Sequence, residues 1–225
     1  MTLPVPSWAA ELHAPGWANI HDIIPEPPRL SGVDAFLGDT GAHTLVLGKD
    51  AAPARVFRQL VEESHPDPYR HDPALPTNQM LQQVLGAVGI DAPLNGSRAA
   101  SCGVYYANAY WLLRDDDHFS GPLKNADAAF EQSKRVLEYM LSNLTRLERV
   151  IAMGADAYTA LMQFFDLRED WRSNLHERRH VRVGSLKLCA SSHLGYFGVR
   201  MRLRGATQDE RKQAIIDDWK AAFDA

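Results

Sequence analysis

Cysteine is scarce in this chain: two residues, Cys102 and Cys189, in a total of 225. They share no CxxC spacing and each falls within an apparent strand. That argues against a zinc site or a disulfide framework and fits a reducing cytoplasm, so no metal is expected. Long apolar runs are missing as well. None approaches the roughly 18 residues a membrane span needs, so no membrane partner is expected. The first fifteen residues show no basic stretch leading into an apolar core, so no secretory signal is visible. No glycine-rich loop of the P-loop or dinucleotide type is present, and no serine sits in a G-x-S-x-G turn. These two absences argue against a nucleotide-binding α/β protein and a serine hydrolase. Internal repeats and low-complexity segments are also lacking.

What is there suits one well-buried core, expected as a single domain over residues 1–225 with residues 1–42 as an N-terminal arm packing on it. Apolar residues make up 45% and charged residues 23% of the chain, ordinary for a globular protein. The net charge of −4 argues weakly against a nucleic-acid partner, but the distribution argues the other way. Residues 166–206 hold nine basic side chains (Arg168, Arg172, Arg178, Arg179, Arg182, Lys187, Arg200, Arg202, Arg204) against four acidic ones. Such a segment is either a polyanion-binding face or a solvated charged surface.

Apolar runs at 44–48, 103–108, 149–153 and 186–190 read as buried strands. Between and after them, helical patterns are expected at 53–64, 77–88, 125–144, 155–165 and 207–223. A short helix is expected around residues 6–12, and one edge strand is possible at 180–183 within the polar connection 166–184. This alternation predicts an α/β fold: three layers, α/β/α, around a central, mostly parallel four-stranded sheet.

In a parallel sheet the carboxyl ends of the strands share one edge, where ligands bind. The first strand delivers Asp50, the second Asn108 and the fourth His193. Each has a plainer role available: Asp50 as a helix N-cap, Asn108 as a strand-end turn residue, His193 as an ordinary histidine after a strand. Their convergence from three strands is what favours a site. Leu194, Tyr196 and Phe197 follow His193 directly and could form a wedge that fills a vacated base stack; alternatively Phe197 returns to the core and only Leu194 or Tyr196 is exposed. Ser191, Ser192, Arg200 and Arg202 are candidate phosphate contacts, although the alternation of Arg200, Arg202 and Arg204 also fits one face of an exposed extended segment. Thr77 and Asn78 either hold a phosphate at a helix N-terminus or simply cap that helix.

Four places over residues 43–200 resemble the uracil-DNA glycosylase superfamily. Leu45-Val-Leu-Gly-Lys-Asp50 resembles its first motif, a strand followed by Gly-Gln-Asp, which puts Asp50 at the water-activating aspartate. Pro68-Tyr69 resembles the Pro-Phe pair whose ring stacks on the extruded base; loop anchoring against Pro68 is the other role open to Tyr69. Tyr105-Tyr-Ala-Asn108 is similar to the strand ending in the base-reading asparagine. Ala190-Ser-Ser-His193 resembles the second motif, whose histidine stabilises charge on the leaving base. Val150-Ile-Ala-Met-Gly-Ala155 resembles the segment leading from the third strand into a Gly-Ala helix.

The resemblance implies a monofunctional DNA glycosylase acting in repair or antiviral defence, with DNA as partner, no cofactor, a monomeric state and a cytoplasmic location. Asp50 and His193 would be catalytic; Tyr69, Asn108, Lys49 and Ala52 would surround the base. Ala52 stands where the uracil-specific branch carries a tyrosine that blocks 5-substituents. The expected substrate is therefore a uracil-like or 5-modified pyrimidine, which would suit defence against phage with modified DNA. The second motif continues Leu194-Gly195 where Pro-Ser is usual. The two cysteines cannot supply the four that the iron–sulfur branches need. The alternative is a catalytically weak nucleic-acid-binding protein on the same fold.

Overall fold

The computed structural model describes residues 3–24, 40–50, 52–63, 75–91, 103–115 and 123–224. Its elements run β1 (Trp17–Ala18), β2 (Thr44–Gly48), α1 (Ala54–Glu62), α2 (Pro76–Ala87), β3 (Val104–Asn108), β4 (Leu113–Arg114) and α3 (Ala126–Asn143). They continue with β5 (Arg149–Met153), α4 (Ala155–Phe164), α5 (Trp171–Glu177), β6 (His180–Val183), β7 (Leu186–Ser191), α6 (Tyr196–Arg202) and α7 (Gln208–Asp224). Two 3-10 turns, Ser7–Glu11 and Ile20–Asp22, lie in the N-terminal segment.

The main sheet has five strands in the order β3-β2-β5-β7-β6. Four of them are parallel and β6 runs antiparallel to β7. The expected sheet of four strands thus gains the edge segment at 180–183. β6 joins because a two-residue turn with Gly184 at φ +58° folds it back onto β7.

Both faces of the sheet are covered, which is why its inner strands read as continuous apolar runs. Leu45, Leu47, Tyr105, Ala107, Val150, Ala152 and Leu188 point to one face, against the N-terminal segment, α1, α3 and α4. Val46, Val104, Tyr106, Ile151 and Cys189 point to the other, against α2 and α7. The result is the expected three-layer α/β/α arrangement. α7 contributes Ile215 and Trp219, both fully buried; side chains of this kind stabilise by about 1.5–3 kcal/mol each.

The N-terminal segment is built into this core. Buried Asn19 donates from Nδ2 to the carbonyls of Ala9 and Leu12 (2.8 and 2.9 Å), and its Oδ1 accepts from the His21 amide at 3.0 Å. Trp17 stacks on Tyr110 at 5.2 Å. β1 pairs antiparallel with β4, Trp17 facing Arg114. That short ladder fixes Arg114, and so bears on the site.

Several local expectations need correction. The connection 166–184 contains a helix, α5, capped by Asp170, whose Oδ2 accepts from the Ser173 amide at 2.7 Å. Arg200 and Arg202 lie on a helix, α6, and not on an extended segment. α2 starts with Pro76 at its first turn and has no side-chain cap, so neither Thr77 nor Asn78 caps it. α1 begins after Pro53, also without a side-chain cap, which removes the capping role for Asp50.

Candidate active site

β2 lies between β3 and β5. The chain leaves β2 toward one side for β3 and reaches β5 on the other, so the sheet order reverses at β2. Crevices at the carboxyl ends of strands at such a reversal are ligand sites. Asp50, Asn108 and His193 all leave strands at this edge, as expected. Two backbone bonds align the exits of β2 and β3: the amides of Ala109 and Tyr110 donate to the carbonyls of Gly48 and Lys49, both at 2.9 Å.

Asp50 is 7% exposed at its side chain, and Arg114 at 3%. Arg114 Nε donates to Asp50 Oδ2 at 2.5 Å. Arg114, which opens the charged run Arg-Asp-Asp-Asp in the sequence, is the buried partner of the candidate catalytic carboxylate. Among the described residues no hydrogen bond engages Asp50 Oδ1.

Asn108 ends β3 half-buried. A Cβ on Gly48 would lie 2.5 Å from Asn108 Oδ1, so the missing side chain at position 48 is what lets this carboxamide lie across the end of β2. Among the described residues nothing is hydrogen-bonded to the carboxamide. Both its donor and its acceptor are available to a ligand.

Three glycines form the seat of His193. Gly154, at φ +94°, would place a Cβ 3.4 Å from His193 Cβ. Cβ atoms on Gly195 and Gly198 would lie 3.0 Å from the imidazole Nδ1 and 1.9 Å from the His193 carbonyl oxygen, respectively. The strand exit is pinned too. The Ser191 carbonyl accepts from the Gly154 amide at 2.8 Å and from Trp171 Nε1 at 3.1 Å.

The Gly195 amide donates to His193 Nδ1 at 3.0 Å. Nδ1 is therefore an acceptor, and the proton of the neutral ring resides on Nε2. The His193 side chain reaches solvent, yet the protein packed around it desolvates it enough to lower its pKa below the ordinary 6.5. The Lys49 ammonium lowers it further, against the opposing pull of Asp50 and Asp156. The arrangement presents a neutral imidazole with an N–H donor at the crevice.

Lys49 Nζ lies 3.6 Å from Asp156 Oδ2. Asp156 comes from the first turn of α4, and it and Arg114 are the two site residues that sequence reasoning missed. Asp156 could have been found, since it directly follows the Gly154-Ala155 turn after the third parallel strand. Arg114 carries no such signal. Ala52 is half-buried and packs against the core. Tyr69 lies outside the described residues.

Four candidate DNA contacts are corrected. Leu194 is fully buried beneath α2 and α7, so it is not an exposed wedge. Tyr196 and Phe197 are exposed instead, 64% and 67%, with their rings edge-on at 5.6 Å; Phe197 does not return to the core. Ser191 and Ser192 are buried, and Ser191 Oγ accepts from Trp219 Nε1 at 2.8 Å. Arg202 is also buried, held by Asp218 through Nε–Oδ2 at 2.7 Å and Nη2–Oδ1 at 2.8 Å. These groups are committed to the fold. Arg200 remains exposed, while Thr77 and Asn78 are half-buried at the start of α2.

Among the described residues, no helix is long and apolar enough to cross a membrane, and no cluster of acidic, histidine or cysteine side chains is arranged to hold a metal ion. Comparison of the chain with protein-family models and with curated proteins finds no match.

Proposed function

We propose that this protein is a DNA glycosylase that hydrolyses the N-glycosidic bond of an extruded pyrimidine and leaves an abasic site. The observation that carries the reading is the His193 imidazole, its Nδ1 engaged by the Gly195 amide so that Nε2 carries the proton, at the same strand edge as the Asp50 carboxylate and the unengaged Asn108 carboxamide. Breaking the bond leaves its electron pair on the base and an oxocarbenium-like sugar. His193 donates from Nε2 to the anionic base oxygen, a preorganised donor whose contribution grows as the bound base displaces water from this exposed ring. Asn108 reads the Watson–Crick edge. Asp50 stabilises the sugar cation and orients the water, whose oxygen bonds to C1′ as its proton passes to the Asp50 carboxylate. Extrusion costs a few kcal/mol, and the exposed Phe197 fills the gap left in the stack.

The small side chain of Ala52 favours a base bulkier than uracil, such as mismatched thymine or a 5-modified pyrimidine; modified bases of that kind would make phage DNA a target. A panel of labelled DNAs carrying uracil, mismatched thymine, 5-hydroxymethylcytosine or glucosylated cytosine, treated with alkali after incubation, tests this. Strand cleavage that Asp50→Asn abolishes is the expected result. Cleavage confined to uracil refutes the bulky-base substrate, and no cleavage of any base refutes the activity.

One observation favours a second reading. Asp50 is tied to Arg114 in a buried ion pair, which restrains its use as a base and suits a catalytically weak nucleic-acid-binding protein. DNA affinity undiminished in Asp50→Asn and His193→Ala, with no base released by the wild type, would select it.

A further inference from the structure

One residue beyond His193, the chain enters a groove of about 330 Å³ between α2, α6 and α7. Its volume lies at the lower end of the range of small-molecule sites. Arg200, Arg211 and Lys212 supply three cations to its lining, and Gln79 and Gln83 supply amides. Pro76 and Val199 supply apolar surface, with Tyr196 at one side and the buried Met80 and Leu194 beneath. Asp209 and Glu210 open α7, yet among the described residues no carboxylate lines the groove. Cations at the wall, amides and an apolar floor suit an anion that also carries a flat, hydrogen-bonding body, the chemistry of a nucleotide.

The groove lies beside the candidate site, its lining residues Leu194 and Pro76 being the chain neighbours of His193 and Thr77. A Cβ on Gly195 would lie 3.0 Å from both the His193 ring and Thr77 Oγ1. The start of α2, the histidine and the entrance to the groove therefore meet at one point. A paired strand must break a further base pair to lower a neighbouring base into such a groove, which costs a few kcal/mol more. Exposed aromatics beside a cationic track are the usual means of carrying an unpaired strand, at roughly 1–3 kcal/mol per stacked base.

We infer that this groove takes an unpaired nucleotide flanking the extruded one, so that the protein prefers single-stranded DNA; the inference rests on the glycosylase reading for its placement. Arg200 and Lys212 hold flanking phosphates. The neighbouring base lies over Val199 and Pro76, against Tyr196, within reach of the glutamine amides. Arg211 is partly committed to the fold, its Nε donating to the Leu203 carbonyl at 3.0 Å.

The test is fluorescence anisotropy of the full chain with one labelled oligonucleotide, single-stranded or annealed, across a salt series. We expect tighter binding of the single strand. Arg200→Gln/Lys212→Gln should weaken that binding about fivefold or more and flatten its salt slope by about 1.4, the value for two phosphate contacts to a single strand. Gln79→Glu, an exposed change on α2, should weaken it by repulsion without removing a cation. Equal affinity for both forms, or unchanged affinity and slope in all variants, overturns the inference. So does displacement of a free nucleoside monophosphate from the groove by neither oligonucleotide form, which would make it a small-ligand site. Single-strand preference lost in the variants, with no base released from any substrate, retains the groove and refutes the glycosylase reading; excision with unaltered variant affinity does the reverse.

Discussion

Replacing Gly198 with alanine should disable the site although residue 198 touches no substrate. The added Cβ would stand 1.9 Å from the His193 carbonyl oxygen and 2.6 Å from its carbonyl carbon. An ordinary carbon–oxygen contact is about 3.3 Å, so the histidine backbone or the first turn of α6 must move by roughly 1.4 Å. Both sides of the clash are backbone or Cβ, and no flexible side-chain end is available to swing away. Overpacking of this kind costs about 1–3 kcal/mol of stability, and a misplacement of about 1 Å at a catalytic group costs roughly a hundredfold in rate. Gly198→Ala should therefore stay folded, melt a few degrees lower, and excise its base at least about a hundredfold more slowly under single-turnover conditions. The His193 pKa, followed by NMR of the imidazole protons, gives a second readout: loss of the Gly195 N–H···Nδ1 bond and of the packed surroundings should bring it back toward 6.5. Near-wild-type excision together with an unmoved His193 pKa would refute the account of how the histidine is held.

The lowered His193 pKa sets the sign of the pH dependence. A neutral donor persists as pH falls to 6.5 and is lost only below it, so the His193 limb of kcat/KM should lie on the acid side of 6.5; a rate that rises as pH drops through 6.5 would mean that the imidazolium is the working form. The same group costs stability in acid. The unfolded chain takes up its proton first, so stability is lost as pH falls from about 6.5 toward the lower folded-state pKa, and His193→Gln should lessen that dependence in urea titrations. Asp218→Ala strands the buried Arg202 guanidinium and should cost about 3–5 kcal/mol, read as a lower urea midpoint. Cys189 is buried with its thiol pushed up to about 11; its peptide should resist alkylation at neutral pH until the chain is unfolded, as followed by mass spectrometry.

The framework was legible because parallel strands covered on both faces leave uninterrupted apolar runs, and Thr44–Gly48 and Arg149–Met153 show this directly. Topology then placed Asp50, Asn108 and His193 on one edge without further information. What escaped the sequence depends on partners remote along the chain. Arg114 looks like the head of a solvated Arg-Asp-Asp-Asp loop until β1 pairs with β4 and buries it. Arg202 meets Asp218 only when α6 and α7 pack, so its alternation with Arg200 and Arg204 suggested an exposed segment. The exchange of Leu194 and Phe197 has a similar origin: three bulky residues interrupted by Gly195 have no readable periodicity until α6 sets which side faces α2 and α7. α5 is short, with Leu175 its one fully buried apolar residue, and so it read as connection.

The most direct test of the central claim is a mass balance under single-turnover conditions: free base measured by chromatography and mass spectrometry, and abasic strand measured alongside it, for wild type and for His193→Ala. The account predicts base and abasic site in equal amounts from at least one pyrimidine substrate, at a rate that falls by two orders of magnitude or more in the variant while DNA affinity persists. Bound DNA with no base released by the wild type, or equal release by the variant, would contradict it.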